Sequence, residues 1–301
     1  MRRFLIALSC CFAAEICAAE KFSFLRPVAP GSCFECRITT VQSARYTFKM
    51  PGREDPAVKL ETVRADFHGY AAIRKVNASG NPLLLRIRSD RLSGSLNGRP
   101  VQAVLPSGTW LEADLSGSRA RFRCNGEDIA RELEVLLQSL FPPASAVTLA
   151  DLTGLSRVLP SPGEGWKPDL TAFLRLLANR RIDGLSPASF KSGITYYGED
   201  RIGKMKSRKF GLLIETARLT DYDCRFKLTF WLAPSGPPVR LVRDATEIVR
   251  RVLRSGPPAA AGIQAEQLCE EHTEQTLLPV EKIPPVKAAP GKNGAWDFLL
   301  R

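Results

Sequence analysis

The stretch YDCRFKLTFWL, residues 222–232, alternates so regularly that an extended strand would put Tyr222, Cys224, Phe226, Leu228 and Phe230 on one apolar face. A strand with one apolar face needs paired neighbours and a covering layer, so this segment commits the chain to a sheet with a buried side. Similar strand text runs from Cys36 to Cys124, with turns at Ser79-Gly80-Asn81, Asn97-Gly98 and Ser116-Gly117-Ser118, and continues at about 191–197 and 205–219. In VKLETVRADFHGYAAIRKV, Val58, Leu60, Thr62 and, after a slip, Phe67, Tyr70 and Ile73 predict a long strand or a bent pair.

Helical spacing interrupts the strands. After Asn125-Gly126, the residues Ile129, Leu133, Leu136, Leu137, Leu140 and Phe141 recur at a helical period, with Glu127 and Asp128 placed to meet the helix dipole and Pro142-Pro143 as a stop. A second helix is expected from Asp169 to about Arg180, with Leu170, Phe173, Leu174 and Leu177 on one face. A third is expected over 244–254: Asp244 and Glu247 fit a capping-box variant, Ala245, Ile248, Val249, Val252 and Leu253 form a stripe, and Gly256-Pro257-Pro258 closes it. A fourth is expected from about Ile263 to Gln275. The fold class is therefore α+β: a curved, half-barrel-like antiparallel sheet with three to four packed helices.

The first nineteen residues have the form of an export signal, with Arg2 and Arg3 ahead of an apolar run from Phe4 to Ala14 and a small-residue site at Cys17-Ala18-Ala19. Cys10, Cys11 and Cys17 lack the spacing of a lipoprotein signal, so a lipid anchor is the lesser alternative. After cleavage no segment has the eighteen or so consecutive apolar residues of a membrane-spanning helix, which places the protein in the periplasm or outside the cell. The expected organisation is a signal over 1–19, a domain over 20–278 with possible halves 20–141 and 165–278, and a Pro/Lys-rich disordered tail over 279–301. Asn77-Ala78-Ser79 is a glycosylation sequon, expected here to be only a turn.

The 43 Lys and Arg against 31 Asp and Glu give a formal charge of +12, and removing Arg2, Arg3 and Glu15 with the signal leaves +11. An exported basic protein is attracted to anionic lipid or other acidic envelope material, or simply carries a soluble basic surface. Export argues against nucleic acid as a partner.

Strands, a helix, LFPP at Leu140–Pro143, the segment LPSPGEGW at Leu159–Trp166 and then strands again resemble a family of uncharacterised bacterial exported proteins and lipoproteins. More distantly the pattern is similar to half-barrel periplasmic lipoprotein and lipid carriers, over about residues 33–242. That resemblance implies a bent sheet wrapped around helices to leave an apolar concavity. The five mature cysteines, the expected helix at 244–254 and the strong positive charge depart from the pattern.

Those cysteines are Cys33, Cys36, Cys124, Cys224 and Cys269. In an oxidising envelope they are expected to form up to two structural disulfides and leave one thiol. Cys33 and Cys36 precede Arg37-Ile38-Thr39-Thr40-Val41, strand text without the helix N-terminus that activates a redox pair. An offset of three puts them on opposite faces, roughly 10 Å apart, beyond the reach of a bridge without a turn. A Cys3His zinc site of Cys33, Cys36, Cys269 and His272 is a remote alternative, resting on Cys269 and His272 sharing a helix face.

His68 lies in strand text without a nucleophile motif, and GEDRIGKM, Gly198–Met205, has a phosphate-loop spacing but Met205 in place of the hydroxyl, so it is taken as a hairpin turn. Glu112 and Asp114 share a strand face of the ordinary solvated kind. With no catalytic base and orienting partner to name, the chain is expected to be a non-enzymatic envelope protein without a cofactor. It would bind an apolar or amphiphilic ligand, lipid among them, or another envelope protein, with a structural module, a hydrolase or a thiol–disulfide protein as alternatives. Leu83, Leu85, Ile87, Phe226, Leu228 and Phe230 are the candidate lining; the alternative is that they fill an ordinary core.

Overall fold

The computed structural model describes residues 21–286, except 25–26, 79, 103–104, 145–147, 155, 180–181, 183, 217–220 and 254–261. The expected export signal, the sequon's Ser79 and the tail from 287 onward lie outside the described residues. In chain order the elements are β1 (Lys21–Ser23), β2 (Cys33–Lys49), β3 (Ala57–Val76), β4 (Pro82–Leu96), β5 (Arg99–Pro100), β6 (Thr109–Asp114), β7 (Arg121–Cys124) and β8 (Glu127–Asp128). They continue with α1 (Arg131–Leu140), α2 (Leu149–Thr153), β9 (Ser156–Val158), β10 (Gly165–Trp166) and α3 (Thr171–Asn179). A single 3-10 turn precedes β11 (Phe190–Ile202), β12 (Met205–Thr216), β13 (Tyr222–Leu232), β14 (Pro238–Leu253) and β15 (Ile263–Val280).

Thirteen strands form one antiparallel sheet in the order β10-β11-β12-β13-β14-β15-β2-β3-β4-β6-β7-β8, with β5 beside β4, and β1 pairs with β9 in a separate ribbon. The sheet is large and curved and does not close into a barrel. Its seam joins the last strand to the first long one, in register from Gln264↔Lys49 to Val280↔Cys33. Apart from that seam, each pair of neighbouring long strands is consecutive in the chain, while β4 and β11, towards opposite ends of the sheet, are joined by the segment that carries the helices.

Two separate cores sit on the concave face. In the first, Leu133, Leu136, Leu137 and Leu140 of α1 pack on Ile38, Phe67, Ile87, Leu111 and Phe122. Gly94 of β4 lets that helix approach: a Cβ there would lie 2.9 Å from Leu136 Cδ2 and 2.4 Å from the Arg64 carbonyl oxygen. In the second, Leu152, Leu170 and Leu177 cover Ile194, Phe210, Leu212, Ile214, Leu228 and Phe230. Phe22 and Phe24 join it through edge-to-face contacts, with ring centroids 5.3 Å apart for Phe24 and Phe210.

The helices expected at 129–141 and 169–180 are α1 and α3, and the strands expected at 191–197, 205–219 and 223–233 are β11, β12 and β13. Glu127 and Asp128, expected in the first turn of α1, instead form β8 against Arg123 and Cys124 and leave Glu132 and Glu134 as the acids of that turn. The helices expected at 244–254 and 263–275 are strands instead, the long β14 and β15. Thr246, Ile248 and Val249 are β-branched, and the ladders on both sides take up the backbone bonds, so tertiary pairing overrides local propensity. β15 is rich in Glu and Gln because, Thr273 apart, neither of its faces is deeply buried.

The same geometry resolves the apparent slip in β3. Phe67 and Ile73 point into the first core, whereas Val58 and Leu60 lie on the other face of one unbroken strand, beyond the cores, 58% and 54% exposed.

Candidate functional site

Between the two cores lies a cavity of about 540 Å³. It lies at the end of the sheet where β2, β4 and β14 begin and β3, β13 and β15 finish, hereafter the rim. Phe34 and Cys36 of β2, Ala71 and Ile73 of β3, Leu85 of β4, Leu241 of β14 and Leu277 of β15 form its floor and walls. Leu140, Phe141 and Pro142 at the end of α1, together with Leu149 and Ala150 of α2, cover it.

Of the residues that line it, four are polar: Asn81, Thr148, Asp151 and Gln275. Thr148 and Asp151 satisfy each other in a capping box, the Thr148 backbone N–H and hydroxyl both donating to Asp151 Oδ2 at 2.7 Å. Asn81 is held in the β3–β4 turn, its backbone N–H donating to Asn77 Oδ1 at 2.9 Å. The surface offered to a ligand is therefore chiefly hydrocarbon. Burial pushes the Cys36 thiol up to about 12, so it lines the cavity as a neutral, apolar group.

A second cavity of about 390 Å³ adjoins the first and shares Val28, Phe34, Pro237 and Leu277 with it. Its other walls are the rim segments Pro27–Ala29, Ser32–Cys33, Ser235–Gly236 and Pro279–Val280. One row past Leu241 and Gln275, away from the rim, the concave face turns polar. Thr40 and Thr273 bond to each other, Thr273 donates to Glu271 Oε1 at 2.8 Å, and Arg243 pairs with Glu271.

Of the six residues expected to line a ligand site, Leu85 lines the cavity. Ile87 is sealed in the first core, Leu228 and Phe230 belong to the second with Phe226 packed against it, and Leu83 is half-buried on β4. The cavity residues missed from sequence come from α2, the 237–241 segment and the end of β15. No single periodic pattern contains them.

The expected disulfides are not formed: among the described residues no cysteine pair is bridged. Cys33 lines the rim cavity, Cys36 the main one, Cys124 packs on the first core, Cys224 lies in the second and Cys269 faces Ala44 across the seam.

The zinc alternative fails with the helix it needed. On β15 an offset of three sends Cys269 and His272 to opposite faces. Cys269 pairs eight residues along β2 from Cys36, roughly 26 Å away at about 3.3 Å per residue. Among the described residues no group of three or more His, Cys, Asp and Glu could hold a metal ion. His68 bonds to Glu35 Oε1 at 3.2 Å, and Gly198–Met205 contains a hairpin turn with Ile202 opposite Met205.

Neither a family model nor a curated protein matches the chain. A solved structure titled for lipid–protein interactions in lipovitellin is similar with a TM-score of 0.27 and 8% identity over 89% of this chain, which spans 26% of the length of that one.

Proposed function

We propose that the protein is a non-enzymatic binding protein of the cell envelope that holds the acyl chain of an amphiphile in the cavity between its two cores. The observation that carries this is the cavity itself. Protein interiors pack with few voids larger than a water molecule, whereas here about 540 Å³ stays open beneath α1 and α2, walled by the ends of five long strands. That volume lies within the range of about 300–1,000 Å³ usual for small-molecule sites. Each methylene taken from water into such a site is worth about 0.8 kcal/mol, so a chain of roughly ten carbons would reach micromolar affinity before ordering costs. The placement in the envelope rests on the export signal expected over residues 1–19.

The test is titration with a fluorescent fatty acid, alongside native mass spectrometry of the purified protein. Wild-type protein is expected to bind one acyl chain and to release a lipid-sized mass on denaturation. Ala71→Phe, which fills the cavity from its floor, should weaken binding at least tenfold while the protein keeps its cooperative unfolding. Undiminished binding by that variant, or no binding by the wild type, would refute the proposal.

A further inference from the structure

We infer that the rim of the sheet docks on an anionic lipid membrane, the β11–β12 hairpin supplying the charge and the adjoining cavities receiving the lipid's acyl chain. The inference rests on the acyl-binding reading of the main cavity and adds the surface from which the ligand would be collected.

The hairpin has the composition and the place for this. The nine residues Arg201–Lys209 contain five cations and no acidic residue. Arg208 pairs with Leu232, the last residue of β13, and the hairpin runs three residues further to Met205 opposite Ile202. The tip therefore overhangs its neighbour by about 10 Å at about 3.3 Å per residue, with Arg201, Lys204 and Lys206 exposed. Ile202 and Met205 anchor it by packing on Trp231 and Val239.

Behind the tip lies an open cleft of about 850 Å³ lined by Arg201, Lys206 and Arg208 over Phe22, Leu232 and Pro234. Of its two acidic residues, Glu199 and Asp200, the second is already engaged, accepting from Trp231 Nε1–H at 2.7 Å. Cations above an apolar floor suit a phosphate head group with its chain attached.

The link to the cavity is one strand spacing wide. Leu232 in the cleft pairs with Pro238, which lines the main cavity, and the second cavity reaches the rim beside it at Ser235–Pro237. Across the rim, Arg74 and Lys75 at the end of β3 are also exposed. Around the β2–β3 turn at the opposite end of the sheet Lys49 and Arg53 are balanced by Glu54 and Asp55, and Arg250 nearby is paired with Asp223 and Glu266. The exposed cations of the hairpin and of the end of β3 thus stand where the cavities open, in the place a flat anionic surface would meet them.

Co-sedimentation of the purified protein with vesicles tests this, using neutral phosphatidylcholine vesicles and vesicles that also contain phosphatidylglycerol. Binding is expected to the anionic vesicles and to weaken as salt is raised. Each cation near such a surface is worth about fivefold in partitioning, so the triple variant Arg201→Glu, Lys204→Glu, Lys206→Glu should lose at least tenfold. Lys49→Glu with Arg53→Glu, at the far end, should keep wild-type binding.

Equal loss in both variants, no association with anionic vesicles, or a preference for a soluble acidic polysaccharide over vesicles would overturn the inference. Titration with the fluorescent fatty acid separates the two proposals. The triple variant should still bind it, because none of its three residues lines the main cavity. A failure of Ala71→Phe to affect fatty-acid binding would sink the cavity reading, whereas the vesicle results bear on docking alone.

Discussion

Thr40 and Thr273, 233 residues apart in sequence, place their hydroxyl oxygens 2.9 Å apart on the concave face where the first long strand meets the last. Thr273 donates its own proton to Glu271 Oε1, so Thr40 is the donor in the pair. Both residues are buried, Thr40 completely. Removing one partner from a buried bond leaves the other unsatisfied, at a cost of about 1–3 kcal/mol.

Thr273→Val is therefore expected to destabilise the protein by about 1–3 kcal/mol, because it orphans the Thr40 hydroxyl and takes a donor from Glu271. Thr40→Val removes only the donor and should cost less. The double variant should cost less than the sum of the two singles, since no orphaned hydroxyl remains. Urea denaturation of the four proteins reads this directly, and strict additivity would mean that the pair contributes nothing at the seam.

Cys36 predicts an alkaline weakness. Its thiol is pushed by burial from an ordinary value of 9.0 to about 12 in the folded protein. Above pH 9 the unfolded chain releases this proton while the folded one retains it. The contribution is therefore fully present below about pH 9 and is lost as pH rises towards about 12, with a limiting slope of about 1.4 kcal/mol per pH unit. Cys224 is shifted the same way, also chiefly by burial, and adds to the trend. In Cys36→Ala the fall in unfolding free energy between pH 9 and 11 should be shallower than in wild type. An identical slope would show that Cys36 is not buried as a neutral thiol. At pH 8 the native protein should likewise resist maleimide at Cys36 until it is denatured.

His272 acts at lower pH and on the other face. Its Nδ1 lies 2.6 Å from Asp244 Oδ1 across β14 and β15, and that hydrogen bond raises its pKa above 6.5 against a smaller opposing effect of burial, with Glu274 on the same strand adding to the rise. A raised value in the folded state means that the stabilisation is complete below about pH 6.5 and disappears as pH climbs through the folded value. The melting temperature should therefore decline in wild type as pH rises above about 6.5. His272→Gln should flatten that part of the profile. The pair is well exposed, so the amplitude will be small and will shrink in high salt.

Where one face of a strand is sealed, the sequence alternates and can be read, as in β13 with Cys224, Leu228 and Phe230 turned inward. Where a strand is covered only in places, as β14 and β15 are, most positions stay half-buried on both faces and the period weakens. Asp244, Glu247, Ile248 and Val249 then imitate a helix. The five-residue α2 is too short for periodicity, although Thr148 and Asp151 already stood at capping-box spacing. The cavity was illegible for a different reason. Its lining is gathered from β2, β3, β4, α1, α2, β14 and β15, and the seam that brings Cys36 beside Leu277 is set by pairing between the two ends of the chain.

One sheet carrying two cores makes a prediction about coupling. Ile87 is fully buried under α1, and Ile214 is fully buried in the second core. Trimming either to Val removes one methyl from a packed site and should cost about 0.5–1.5 kcal/mol. The cores share the sheet but none of their buried residues, so the double variant should lose the sum of the single losses to within about 0.5 kcal/mol. The continuous ladder from β13 through β14, β15 and β2 to β3 should keep unfolding a single transition, because neither half can leave without exposing the other's strand edges. Two separated transitions in calorimetry would show instead that the seam is weaker than either core. In that case Thr40→Val and Thr273→Val should widen the separation, whereas a shared transition should move as one in every variant.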